Sequence, residues 1–120
     1  MKIIYAIICI ILLCGATYPE KWKITAYCAC KKCCGPNAKG ITASNKKVEF
    51  GMITCNWLRF GTKVKIKGFG IFTVEDRGAK SLFGDDNNRI KHLDMYLPAH
   101  TDAEVFGTKW REVEILSEKK

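Results

Sequence analysis

Short segments of alternating apolar and polar residues, separated by glycine-containing turns, recur between residues 22 and 116. The clearest segment covers residues 63–67, where Val64 and Ile66 alternate with lysines, as in a strand with one buried face. A Gly68-Phe69-Gly70 turn and a second run over residues 71–75 follow, which predicts a β-hairpin. The same alternation predicts further strands over residues 22–27, 52–55, 93–97 and 112–116.

One short helix is predicted near the end of the chain. Thr101 and Glu104 have the spacing of a capping box, and Gly107 is placed to end the helix. Short strands, glycine-rich turns and so little helix in about 100 residues predict an all-β fold, with one or two short helices, closed into a compact barrel.

The first 16 residues have the pattern of a secretory signal peptide. Lys2 is followed by an apolar run over residues 3–14, and Gly15-Ala16 supplies the small residues of a cleavage site. The run is about half the roughly 20 residues that span a bilayer. We therefore expect a signal peptide over residues 1–16 and a single domain over residues 17–120. An uncleaved anchor and a lipoprotein attached through Cys14 are the alternatives.

The charge balance is strongly basic, with 20 Lys and Arg against 12 Asp and Glu, for a formal net charge of +8. An exported basic protein meets cell-wall polymers and lipid head groups rather than nucleic acid. No basic run exceeds two residues, which argues further against nucleic-acid binding. We expect a secreted or cell-envelope monomer without stable membrane insertion after signal cleavage.

Five cysteines remain beyond the signal peptide, and an odd number leaves at least one thiol unpaired within a monomer. Export favours disulfides, so a staple from the 28–34 loop to the last cysteine is one interpretation. The C-x-C-x-x-C spacing also suits a tetrahedral zinc ion, and loosely paired thiols are a third alternative. The candidates for either arrangement are Cys28, Cys30, Cys33, Cys34 and Cys55. No other cofactor is indicated.

An ordered set of short motifs resembles the three-aspartate (3D) domain of bacterial cell-wall proteins. The set runs through Thr25-Ala26-Tyr27, Thr42-Ala43-Ser44, Phe60-Gly61-Thr62-Lys63-Val64, Val74-Glu75-Asp76-Arg77-Gly78, Leu93-Asp94-Met95-Tyr96 and Asp102-Ala103-Glu104-Val105-Phe106-Gly107. Over residues 22–116 the chain is also similar to rare-lipoprotein-A-like proteins and to the core of membrane-bound lytic transglycosylase A. The resemblance implies a bacterial or phage-encoded protein with a six-stranded double-psi β-barrel. It also implies cleavage of peptidoglycan glycan strands by a lytic transglycosylase.

Two of the three signature aspartates of that family are present. The resemblance places the second at Asp76 and the third at Asp94, while Thr54 stands where the first is expected. A threonine can hydrogen-bond a sugar but cannot carry charge or hold a proton for transfer. We expect Asp94 to be the acid/base and Asp76 to tune it or bind substrate, with the reverse assignment as the alternative.

One carboxyl group suffices for this chemistry. It protonates the departing oxygen of the MurNAc-GlcNAc bond and then takes the proton of the C6 hydroxyl, which closes a 1,6-anhydro ring. Such a group needs a pKa raised by burial or by a like charge. Candidate substrate contacts are Thr54, Tyr27, Tyr96 and His100. The alternative, which is the more common case in small barrels, places the tyrosines in the core and His100 in a loop.

Three classes of function therefore stay open. The first is a lytic transglycosylase, and the second is a non-catalytic wall-binding or wall-loosening module of expansin type, which the threonine at position 54 favours. The third is a cysteine-rich metal-binding or inhibitory protein, based on the cysteines over residues 28–34.

Overall fold

A computed structural model describes residues 20–36 and 38–117, so the predicted signal peptide lies outside the described residues. The strands are β1 (Lys21–Tyr27), β2 (Met52–Thr54), β3 (Lys63–Ile66), β4 (Gly70–Asp76), β5 (His92–Tyr96) and β6 (Lys109–Ser117). The helices are α1 (Lys31–Cys34), α2 (Lys80–Phe83) and α3 (His100–Phe106). No helix in this part of the chain is long and apolar enough to cross a membrane.

The six strands close into a barrel in the order β1-β5-β2-β4-β3-β6. Pairs β1/β5 and β2/β4 are parallel, and the other four pairs are antiparallel. The predicted all-β barrel is confirmed, with three short helices instead of one or two.

Alternation along the strands fills the barrel, because successive side chains point to opposite faces. Val64 and Ile66 are fully buried, as the lysine-spaced pattern predicts, and Leu93 and Met95 of β5 point inward with them. The alternation over residues 112–116 places Ile115 on the inward face, but its side chain is 41% exposed. The pairing of β3 with β6 shifts its register at that end of the strands, which breaks the alternation.

The helices differ in part from the predicted pattern. Helix α3 ends at Gly107, which has a φ of 65°, as expected for a helix-terminating glycine. It begins earlier than the capping box predicts, with Ala99 at the N-cap and no capping side chain. Glu104 is hydrogen-bonded to His100 instead of capping the helix. Helices α1 and α2 are single turns that the sequence pattern does not predict.

Candidate functional site

A row of polar side chains crosses four adjacent strands of the barrel wall. Thr54 on β2 is paired with Asp76 on β4 at one side and with Asp94 on β5 at the other. Thr25 on β1 is paired with Asp94 and extends the row. Directly paired residues share a face of the sheet, so these side chains lie together, on the face opposite to that of Leu93 and Met95. The two aspartates are separated by one strand, roughly 10 Å across the sheet.

Asp94 is the more enclosed of the two aspartates. Burial raises the pKa of its carboxyl from the ordinary 3.8 to about 6, and the negative charge of Asp76 acts in the same direction. The hydrogen bond between Thr25 Oγ1 and Asp94 Oδ1, at 2.9 Å, partly opposes this rise. Asp94 therefore retains a proton nearer to neutral pH than an ordinary aspartate does.

The hydrogen bonds continue from Asp94 to a buried histidine. Thr25 Oγ1 lies 2.7 Å from Nε2 of His92, whose Nδ1 lies 3.2 Å from the carbonyl oxygen of Leu82. The ring of Phe83 stacks on the imidazole with centroids 4.2 Å apart. Burial lowers the pKa of His92, which favours the neutral ring.

The number of hydrogen-bond donors on Asp94, Thr25 and His92 limits the protonation states that are compatible with these contacts. A carbonyl oxygen only accepts, so Nδ1 of a neutral His92 carries the proton and donates it to Leu82. Nε2 then accepts the Thr25 hydroxyl proton, and the Thr25 oxygen is left to accept from a protonated Asp94. When Asp94 is ionised, it accepts from Thr25, and the Thr25 oxygen accepts from an N–H at Nε2 of His92. The protonation of Asp94 and the position of the proton on His92 are therefore linked through Thr25.

Asp76 is held as a hydrogen-bond acceptor. Tyr27 donates its hydroxyl to Oδ2 at 2.8 Å, and the backbone N–H groups of Ala43 and Arg77 both donate to Oδ1 at 2.9 Å. Burial, followed by the charge of Asp76, raises the pKa of the Tyr27 phenol, so the phenol remains a donor. The Ala43 contact also ties the loop after residue 40 to the end of β4.

Asp76 opens onto a cleft of about 300 Å³ on the outside of the barrel. Tyr27 lines the cleft beside it, and most of the remaining wall comes from the segment that contains α1: Ala29, Cys34, Ala38, Lys39, Gly40 and Ile41, with Val48 beyond it. Tyr96 packs edge-on against Tyr27 with ring centroids 5.7 Å apart. Thr54 is buried within the wall, between the two aspartates.

A second cluster, made of thiols and an imidazole, begins directly after Tyr27 at the end of β1. The sulfurs of Cys28, Cys30 and Cys33 and one ring nitrogen of His100 all lie within 4.8 Å of one another. His100 Nδ1 is 3.1–3.4 Å from the three sulfurs. His100, a candidate substrate contact in the sequence, is therefore placed among thiols.

The predicted disulfide is wrong, because all five cysteines of the described chain are free thiols. Cys55, the expected partner of the loop, is buried in the barrel core. Cys34 also lies outside the cluster and donates its thiol to the carbonyl oxygen of Cys28 at 3.2 Å. Of the five cysteines considered as metal ligands, only Cys28, Cys30 and Cys33 lie together, and His100 joins them.

The thiols of the cluster influence one another. The hydrogen bond from Cys28 lowers the pKa of the Cys30 thiol to about 6. Backbone N–H groups of Lys32 and Cys33 donate to the same sulfur and act in the same direction. Burial raises the pKa of Cys28. Cys30 is therefore the thiol that ionises more easily of the two.

Fold and site together define a small six-stranded mixed β-barrel that carries a row of carboxylates and hydroxyls beside a thiol–imidazole cluster. No family model and no curated protein matches the chain.

The site also contains two side chains that the sequence does not single out as candidates. His92 precedes the predicted strand by one residue, and Thr25 belongs to the Thr25-Ala26-Tyr27 motif. Strand alternation marks both positions, because residues two apart share a face: His92 shares one with Asp94 on β5, and Thr25 shares one with Tyr27 on β1.

Proposed function

We propose that this protein is an exported lytic transglycosylase of the three-aspartate family, with a double-psi β-barrel, that cleaves the MurNAc-GlcNAc bond of peptidoglycan. The observation that carries the proposal is the pair formed by an enclosed Asp94, which retains its proton toward neutral pH, and Asp76, which faces a cleft. The closed barrel and the order of the motifs agree with it.

Asp94 acts as the general acid in the first step. Its carboxyl proton moves to the glycosidic oxygen, the bond from that oxygen to C1 of the muramic sugar breaks, and the electron pair leaves with the oxygen. The ionised Asp94 then accepts the proton of the C6 hydroxyl as that oxygen bonds to C1. The acid is regenerated, a 1,6-anhydro ring closes, and no water is consumed.

Thr25 and His92 are positioning residues in this scheme. The Thr25 hydroxyl contacts both Asp94 Oδ1 and His92 Nε2 and so fixes the orientation of the carboxyl group, while burial keeps that group protonated before the reaction. Asp76 supplies a fixed negative charge beside the cleft, which stabilises an oxocarbenium-like transition state. Its three donors hold the carboxylate in place.

The second candidate is a wall-binding module of expansin type without cleavage. It is favoured by the uncharged Thr54 between the two aspartates and by the full set of hydrogen bonds on Asp76. In that case the cleft binds glycan strands. The basic surface of the mature chain, whose formal net charge is +7 after Lys2 is lost from the +8 of the full sequence, holds the protein on anionic wall polymers.

Digestion of purified peptidoglycan separates the two candidates. The wild-type protein is expected to release fragments lighter by one water than hydrolysis products, and Asp94→Asn to lower the rate by roughly 100-fold or more. Asp102→Asn, which removes an exposed carboxylate from α3, is the matched control and is expected to retain activity. Retention on sacculi without soluble fragments from any form would reject the enzyme and favour the binding module.

A further inference from the structure

The three sulfurs and the imidazole nitrogen converge from three separate parts of the fold. Cys28 directly follows β1, Cys30 precedes the single turn α1, Cys33 lies within that turn, and His100 opens α3. In sequence His100 is about 70 residues from the cysteines, so the barrel, not local spacing, brings it there. Four soft or borderline donors around one point are the ligand set of structural zinc sites.

The distances agree with a tetrahedral centre. Zinc bonds of 2.0–2.3 Å place neighbouring ligand atoms roughly 3.5–3.8 Å apart. Here Cys28 Sγ lies 2.8 Å from Cys30 Sγ and 3.2 Å from Cys33 Sγ, and the sulfurs lie 3.1–3.4 Å from His100 Nδ1. The four atoms need to move apart by no more than about 1 Å to surround the ion.

The groups around the ligands are those that support a metal site. His100 directs Nδ1 at the sulfurs, and its Nε2 lies 2.7 Å from the carboxylate Oε1 of Glu104, one helical turn further on. A ligand histidine commonly donates its second N–H to a carboxylate, which fixes the tautomer and the ring orientation.

We propose that Cys28, Cys30, Cys33 and His100 hold one structural zinc ion. All four positions are filled by protein ligands, so no open site for catalysis is left. Each thiol still protonated releases its proton on binding, and three thiolates with a neutral imidazole give the complex one net negative charge. Lys31 and Lys32 lie within the same turn and offset that charge.

The ion cross-links the wall of the cleft to the barrel. Cys28 adjoins Tyr27, which donates to Asp76, and the segment between Ala29 and Ile41 forms much of the cleft. Helix α1 is one turn long with no capping side chain and no buried residue, so little else holds it in place. Zinc therefore sets the position of the wall, and its loss loosens the segment without unfolding the barrel core.

Metal analysis of the purified protein, after zinc loading and removal of free metal, tests the proposal. The wild-type protein is expected to contain one zinc per chain, and Cys30→Ser and His100→Asn to lose most of it. Cys34→Ser is the matched control, since this exposed neighbour lies outside the cluster; it is expected to keep one zinc. Glu104→Gln is expected to lower the affinity about 10- to 100-fold.

Cobalt titration of the wild-type protein keeps the test independent of variant folding. Tetrahedral cobalt–thiolate absorption that saturates at one equivalent and disappears on addition of zinc is expected. Absence of zinc from the loaded wild-type protein, octahedral cobalt spectra, or equal zinc in Cys30→Ser and the wild type would each overturn the proposal. None of these readouts requires glycan cleavage, so the outcome is separate from that of the proposed function.

Discussion

Replacement of Asp94 by asparagine is expected to stabilise the protein at neutral pH and not in acid. The folded protein holds the pKa of this carboxyl at about 6 against an ordinary 3.8, chiefly through burial. Between these values the folded chain binds more protons than the unfolded chain, so its stability falls as pH rises through the window. The contribution of protonated Asp94 to the stability of the fold is complete below about pH 4 and is lost above about pH 6.

At 1.36 kcal/mol per pKa unit, the difference between the two Asp94 pKa values corresponds to a change of at most about 3 kcal/mol in the free energy of unfolding. The substituted asparagine side chain does not titrate and keeps an oxygen that can accept from Thr25. The free energy of unfolding of the variant relative to wild type is therefore expected to rise by about 2–3 kcal/mol between about pH 4 and pH 7.5.

Urea denaturation at the two pH values measures this difference. Because both proteins carry the same thiol cluster, its own pH dependence largely cancels in the comparison. Asp102→Asn serves as the control, because it shows how the loss of one exposed negative charge alone changes the free energy of unfolding. A difference between Asp94→Asn and wild type that stays constant with pH, or that becomes more destabilising toward pH 7.5, would refute the reasoning about Asp94.

Three further changes have definite expected outcomes. Tyr27→Phe removes the donor to Asp76 and is expected to cost about 1 kcal/mol by denaturation and to slow glycan release. Gly78→Ala places a Cβ 2.4 Å from the ring of Phe83, so a loss of about 1–3 kcal/mol is expected, with weaker near-ultraviolet circular dichroism. Thr62→Val is expected to raise the free energy of unfolding by about 1 kcal/mol, since its buried hydroxyl has no hydrogen-bond partner among the described residues. Unchanged stability in the last two variants would contradict the packing described for them.

The parts of the fold that follow from local alternation could be predicted from the sequence. The β3–β4 hairpin is one, because Val64 and Ile66 alternate with lysines and the turn follows at once. The single-turn helices α1 and α2 could not, since four residues carry too little periodicity. The capping box failed because the Glu104 side chain bonds to His100 instead of the backbone.

The candidate site was predictable only where a motif marked it. Asp76 and Asp94 were identified from their motifs, and the barrel brings them to one face with Thr54 between them. The grouping of His100 with three cysteines depends on α3 meeting the end of β1, a contact between residues about 70 positions apart. The sequence predicted Cys55, the remaining cysteine, as the partner of the loop cysteines, but the fold buries it in the core.

The most direct test of the central claim is digestion of peptidoglycan in water enriched in heavy oxygen, read by mass spectrometry. Intramolecular attack by the C6 hydroxyl predicts anhydro fragments with no heavy oxygen at the new end, formed by wild type and nearly absent with Asp94→Asn. Fragments that carry heavy oxygen would identify a hydrolase, and no fragments at all would identify a binding module. Either result would contradict the proposed transglycosylase.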